Sequence, residues 1–150
     1  MHTMDNTNYD ALKLENQLCF PLYAASREVI KRYHPYLSAL DLTYTQYIAM
    51  MVLWEVRTLT VKALGKKLFL DSGTLTPVLK SLESKGYIVR SRSKEDERVL
   101  NVEITNKGEQ LKEQAVSIPP TVAGCVKLDT NEAMQLYQLL YKVLDAFEKE

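Results

Sequence analysis

The residues best suited to chemistry lie between Asp71 and Thr105. Ser72, Gly73, Thr74, Thr76, Pro77 and Lys80 are small, hydroxylated or basic. They fall on the face opposite an apolar stripe made by Leu75, Val78, Leu79 and Leu82. Small hydroxyls at a helix N-terminus permit close approach to bases and phosphates. The same residues also serve as ordinary helix caps. What favours nucleic acid is the sequence that follows: a short apolar run (Tyr87, Ile88, Val89), a charged tip from Ser91 to Arg98, and a second extended run from Val99 to Ile104. Arg90, Arg92, Lys94 and Arg98 place cations on this hairpin. Asp96 is expected to pair with Arg98 and hold the tip. A helix followed by a basic-tipped hairpin is the layout of a winged helix-turn-helix, which puts the helix in the DNA major groove and the wing against the minor groove.

The charge distribution agrees. The chain has 150 residues and no net charge, which argues against a general nucleic-acid coat. Residues 57–98, however, hold ten basic and five acidic side chains, a local charge of +5, flanked by −2 over residues 1–56 and −3 over residues 99–150. The positive charge lies where phosphates would sit.

A hydrophobic content of 46% and a charged content of 25% are ordinary for one globular domain with a real core. No apolar run approaches the roughly 18 residues of a membrane helix, so no membrane partner is expected. The N-terminal MHTMDNTNYD lacks the basic and apolar regions of a signal peptide, and Met4 is an alternative start to Met1. Two cysteines, Cys19 and Cys125, are too few for a disulfide scaffold. A cytoplasmic protein with reduced thiols is expected. No metal site, cofactor or catalytic residue set is expected.

The elements that must position these residues are mainly helical. A first helix is expected from about Tyr9 to Tyr33, with stripes Leu14, Leu18, Leu22, Ala25, Val29 and Cys19, Tyr23, Ser26, Ile30, Tyr33. Pro21 should kink or break it near Phe20, and His34-Pro35 should end it. Thr43-Tyr44-Thr45-Gln46 fits a capping box before a buried helix over roughly Tyr44 to Val56. Thr60 caps a short helix with Val61, Leu64 and Leu68 inward. The reading helix is expected from Thr74 to Ser84, which places Pro77 in its tolerant first turn. Thr105 to Ala115 opens another helix, broken at Ile118-Pro119-Pro120. Asp129 or Thr130 caps a final helix to about Phe147, striped with Ala133, Leu136, Leu140, Val143, Leu144 and Phe147.

The expected fold is thus mainly α with a small β-hairpin wing, a single domain over 1–150. Residues 42–105 form the winged helix-turn-helix, and residues 9–35 and 120–148 form helices from both termini that pack on each other or on a second copy. Doubled apolar stripes outside the reading unit, and the fixed spacing that paired readers require, favour a homodimer on a double-stranded DNA operator.

The DSGTLTP helix at 71–77 and the Asp96-Glu97-Arg98 wing resemble the MarR family of dimeric winged-helix repressors. KLENQLCFPLYAASRE at 13–28, LTYTQY at 42–47 and LWE at 53–55 resemble its organic-hydroperoxide-sensing branch, OhrR. The resemblance runs from about Leu12 to Ile118. It implies a repressor that releases DNA when a cysteine is oxidised by an organic hydroperoxide, with Cys19 as that cysteine and Tyr33 and Tyr44 as its pocket partners. It further implies either a resolving role for Cys125 or an external low-molecular-weight thiol. Cys19 and Tyr33, fourteen residues apart, share a helix face but lie about 21 Å apart along a straight helix. Tyr33 therefore reaches the sulfur only from another subunit, or after a fold-back at Pro21.

The residues alone give Cys19 no activating neighbour, since Arg27 and Lys31 lie two to three turns away. A lone cysteine on an apolar helix is more often a small core residue. Two other functions fit parts of the pattern: a repressor controlled by a small aromatic ligand, and a thiol peroxidase. The second needs a charged group beside the cysteine, which LCFPLY lacks.

Overall fold

A computed structural model describes residues 8–148; the Met1/Met4 question lies outside the described residues. Two short 3-10 turns, Tyr9–Leu12 and Leu14–Asn16, precede seven helices: α1 (Cys19–Ser38), α2 (Tyr44–Val56), α3 (Val61–Leu68), α4 (Ser72–Ser84), α5 (Asn106–Ala115), α6 (Ile118–Ala123) and α7 (Thr130–Glu148). Three strands, β1 (Thr58–Thr60), β2 (Ile88–Arg92) and β3 (Leu100–Ile104), complete the fold. The strands form one antiparallel sheet in the order β1-β3-β2, with Arg92 opposite Leu100 and Ile88 opposite Ile104.

The helix boundaries follow local chemistry. Thr43 and Gln46 form the expected capping box, the Gln46 amide donating to Thr43 Oγ1 (3.3 Å) and the Thr43 amide to Gln46 Oε1 (3.0 Å). Thr60 caps α3 through the Ala63 amide (3.0 Å), and Asp71 caps α4 through the Thr74 amide (2.7 Å). The α3–α4 turn is tight. Phe69 is left-handed, the Leu70 amide reaches back to the Gly65 carbonyl (2.9 Å), and a Cβ on Gly65 would meet the Leu70 oxygen at 2.8 Å. Gly86, at φ 82°, closes α4 in the same way, with the Tyr87 amide on the Leu82 carbonyl (3.0 Å).

The core lies in the reading unit. Leu53, Leu64, Leu75, Leu79, Leu82, Ile88 and Val102 are fully buried, joined by Leu37 from the end of α1 and Ile118 and Val122 from α6.

Several expectations are corrected. The first helix begins at Cys19, not Tyr9. The Asn16 and Gln17 side-chain amides satisfy the Asp10, Ala11 and Lys13 carbonyls and hold the preceding chain in 3-10 turns. Pro21 then falls in the first turn of α1, where its missing amide has no intrahelical acceptor, so it neither kinks nor breaks the helix. The helix also runs past exposed Pro35 to Ser38, and the chain turns at left-handed Asp41, where the Leu42 amide returns to the Leu37 carbonyl (2.9 Å). Pro119 and Pro120 open α6 rather than break a helix, because the first turn tolerates proline. Strand β1 was not expected; a three-residue Thr-Leu-Thr is too short to show an alternating pattern.

The terminal helices contrast with this core. None of the 19 residues of α7 is buried, and Leu37 alone is buried in α1. The expected stripes exist, but they lie open to solvent: Leu22, Tyr23 and Ile30 on α1, and Leu136, Val143 and Phe147 on α7. The two helices do not bury each other within one protomer.

Candidate nucleic-acid interface and redox site

Helix α4 starts two residues earlier than its sequence indicates. Ser72, Gly73 and Thr74 form its exposed first turn, and Asp71 is the cap. Hydrogen bonds from the Thr74 amide and hydroxyl hold the Asp71 carboxyl below the ordinary carboxylate range. Pro77 is consequently the sixth helical residue, not a first-turn residue. Its missing amide deprives the Gly73 carbonyl of its helical donor, and the exposure of Gly73 leaves that carbonyl to water. Thr76, half-buried, donates its hydroxyl to the Ser72 carbonyl (2.7 Å). Pro77 and Lys80 are exposed on the same side of the helix.

The wing tip is organised as expected around Asp96. The Arg98 backbone amide and Nε both donate to Asp96 Oδ1 (3.0 and 3.1 Å), and Arg98 Nη2 donates to Oδ2 (3.3 Å). These bonds, the side-chain ones foremost, hold the Asp96 carboxyl low. The Arg98 side chain remains 90% exposed. Arg92 donates to the Glu97 carbonyl (2.9 Å) and is also exposed, as is Lys94.

Arg90 sits elsewhere. Glu83 of α4 accepts from its backbone amide (2.8 Å) and from its Nη2 (3.1 Å), so Arg90 ties the wing to the reading helix instead of standing free. The same bonds lower the Glu83 carboxyl. Ser72, Thr76, Arg92 and Arg98 line a concavity of about 600 Å³ between α3, α4 and the wing. Thr60 and Lys62 join them there. Sequence reasoning gave Thr60 a capping role alone and did not single out Lys62, although the Lys62, Lys66, Lys67 cluster within the +5 segment was a visible signal.

Neither thiol lines this concavity. Cys19 is the first residue of α1 and is exposed; Tyr23, one turn on, and Arg27, two turns on, follow on its side of the helix, with the Arg27 guanidinium 5.3 Å from the Tyr23 ring centre. Cys125 is exposed in the turn after α6, its Sγ 3.9 Å from the Thr121 carbonyl. Tyr33 and Tyr44 do meet, ring centres 5.0 Å apart and edge-on. Tyr47 completes the cluster, 5.7 Å from Tyr33 and 6.1 Å from Tyr44. Burial pushes the Tyr47 hydroxyl up to about 12 and raises Tyr33 and Tyr44 above their ordinary value. The three phenols are therefore neutral at physiological pH and stand as hydrogen-bond donors. Tyr47 was missed as a third member, although its spacing of three from Tyr44 puts both on one face of α2.

Since α1 is continuous from Cys19 to Ser38, the fold-back route at Pro21 is closed. Cys19 stands about 21 Å along the axis from its own Tyr33. One protomer assembles the tyrosine cluster and presents the thiol, but does not bring them together.

Three comparisons bear on this arrangement. Residues 31–115 match the family described as transcriptional regulator SarA/Rot. The organic hydroperoxide resistance transcriptional regulator of Bacillus subtilis (strain 168) is 50% identical over 147 residues, covering 98% of this chain and 99% of its own. Reduced AbfR bound to DNA, a protein of Staphylococcus epidermidis, superposes with a TM-score of 0.76 at 34% identity over 91% of this chain and 94% of that one. AbfR with its disulfide formed superposes with a TM-score of 0.65 at 33% identity over 91% and 93%. The backbone described here is closer to the reduced, DNA-bound form than to the disulfide form.

Proposed function

The chain belongs to the MarR family of winged-helix transcriptional regulators, in its organic-hydroperoxide branch, and from that premise we propose that it is a homodimeric, redox-controlled repressor. Reduced, it holds a near-palindromic operator, with α4 in the major groove and the wing in the minor groove. An organic hydroperoxide releases it by oxidising Cys19. In that step the Cys19 thiolate attacks one peroxide oxygen, the O–O bond breaks, and sulfur loses two electrons. The alkoxide leaves and is protonated to the alcohol, leaving Cys19 as sulfenic acid. A second thiol, Cys125 or a small external thiol, then condenses with the sulfenic acid, forming an S–S bond and releasing water.

The observation that carries the proposal is the split site. Tyr33 lies about four turns along α1 from its own Cys19, against Tyr44 of α2, and the apolar face of α1 is uncovered. A second copy, packed through residues 9–35 and 120–148, supplies both the missing cover and the missing thiol. In such a dimer, oxidation of one residue alters the contact between two subunits, and so the spacing of two reading helices.

A second reading has one observation behind it: a cavity of about 490 Å³ beside Tyr44, lined also by Lys31, His34 and Lys85. It would suit a small aromatic acid as effector.

Operator binding measured before and after organic hydroperoxide, with the same samples on a non-reducing gel, tests the proposal. Tight binding when reduced, and loss of binding in step with loss of the Cys19 thiol, is expected. Unchanged binding by protein whose Cys19 is fully oxidised would overturn it. Release by an aromatic acid, together with a Cys19→Ser variant that behaves as wild type, would establish the second reading instead.

A further inference from the structure

Gln46 is the one buried polar residue among those described, 7% exposed at the N-terminal turn of α2. A buried amide is costly unless its hydrogen bonds are met, and here they are met across three elements. Its nitrogen donates to Ser81 Oγ of α4 (2.9 Å), and its oxygen accepts from the Thr43 amide (3.0 Å) and from Lys85 Nζ (3.1 Å). Lys85 lies just past the end of α4. Its ammonium also donates to the Asp41 carbonyl and faces the Asp41 carboxylate at 3.7 Å. Asp41 is the left-handed residue at which the chain turns from α1 into α2. The Lys85 carbonyl in turn accepts from Lys107 of α5 (2.8 Å). The Lys85 side chain is only 23% exposed, whereas that of Asp41 is 83% exposed. The ammonium thus donates to a backbone carbonyl and an amide oxygen, and its longer ion pair with the exposed Asp41 carboxylate adds to these bonds.

We infer that Lys85 is a positioning residue. By gripping the α1–α2 turn through Asp41 and the α2 terminus through Gln46, it fixes the pitch of α4 to the arm helix α1 and transmits movement of that arm to the DNA. The inference rests on the reading above, that α1 carries the sensing thiol. The geometry gives three reasons. The grip joins the far end of the sensing helix to the far end of the reading helix. It is made of directional, in part buried hydrogen bonds, which resist rotation better than apolar packing does. It also borders the tyrosine cluster, since Tyr44 and Lys85 line the same cavity.

Lys85→Met keeps the length and apolar stem of the side chain and removes its donors. Full-length wild type and the variant are compared by thermal midpoint, by rate of Cys19 oxidation, and by affinity for operator and for random-sequence DNA over a salt series, reduced and after organic hydroperoxide. The expected variant is folded and oxidised at the wild-type rate. When reduced it binds operator about 10-fold more weakly, with an unchanged salt slope and unchanged affinity for random DNA. Its ratio of reduced to oxidised operator affinity shrinks severalfold. A salt slope shallower by about one, with random-DNA affinity falling alongside, would mean that Lys85 contacts a phosphate directly and would overturn the inference. So would an unchanged ratio. Should Lys85→Met not fold, Ser81→Ala, which removes the acceptor for Gln46 on α4, is expected to change the ratio in the same direction by a smaller factor, and a wild-type ratio in that variant would overturn the inference. Wild type that ignores hydroperoxide would overturn the underlying reading, and this inference with it, a result distinct from a responsive wild type matched by a responsive variant.

Discussion

The reading unit and the terminal helices are built to different standards of self-sufficiency. From Leu42 to Ile104 each helix start has a side-chain cap, and the leucines of α3 and α4 close over one another. Over α1 and α7, helices of 20 and 19 residues, the apolar stripes are just as regular but a single side chain is buried. The first region buries its apolar side chains within the chain; the second leaves its stripes open. A DNA reader gains from rigidity, because its contacts must be pre-positioned. A sensor that must move the reader gains from lying on a seam, where a local chemical change alters how two bodies meet.

Four experiments break or sharpen that contrast. The largest effect is expected from Cys19→Ser, which is nearly isosteric and cannot form a sulfenic acid. Operator affinity in the reduced state should stay within about threefold of wild type, while hydroperoxide-driven release, read by fluorescence anisotropy, disappears. Release by this variant would move the sensor off α1. Next is Leu136→Asp with Val143→Asp on the open face of α7. Light scattering should find monomers at micromolar concentration, and circular dichroism should find the reading unit still folded. A dimer surviving both charges would place the interface elsewhere. Where α5 packs against the reader the opposite holds: Gly108→Ala drives a Cβ into the Tyr87 carbonyl oxygen, so chemical denaturation should report a loss of about 1–3 kcal/mol, typical of overpacking. A wild-type midpoint would mean that α5 shifts freely against β2.

The smallest effect concerns pH. Glu83 and Asp96 titrate below their ordinary values because Arg90 and Arg98 donate to their charged forms. A carboxyl whose folded pKa is depressed contributes stability that is present above the unfolded value, near 4, and lost as pH falls through the folded value. Thermal midpoints should therefore fall from pH 6 to pH 3, and slightly less steeply in Glu83→Gln. Equal slopes would show that the Glu83–Arg90 tie adds nothing to stability.

The same contrast explains what was legible in the sequence. Caps, the wing and the leucine stripe of α4 are local patterns; they placed α2, α3 and the Asp96–Arg98 clamp correctly, and α4 except for its start, which falls two residues earlier because Asp71 is the cap. The boundaries that slipped depend on facts that are not local. Pro21 and Pro119 look like breakers until the helix start is known, and then they are first-turn residues. The chain at 9–17 shows helical spacing, but side-chain amides claim its carbonyls. Arg90 counts as a wing cation in sequence and becomes a strut only because Glu83, seven residues earlier, comes around the turn to meet it. The Tyr33–Tyr44 contact was implied by family resemblance alone. Its third member, Tyr47, needed only the spacing along α2. The separation of Cys19 from Tyr33 did follow from helix rise, and the continuity of α1 turned that separation into the case for a shared site.

A mixed dimer tests that shared site most directly. One subunit carries Cys19→Ser with its tyrosines intact; the other keeps Cys19 and carries Tyr33→Phe with Tyr44→Phe. If the pocket forms between subunits, the one remaining Cys19 thiol faces intact tyrosines across the interface and should be oxidised by organic hydroperoxide at the wild-type rate. The homodimer with both tyrosines changed should react about 10-fold more slowly. A mixed dimer that reacts as slowly as that homodimer would contradict the account, placing thiol and tyrosines in the same subunit.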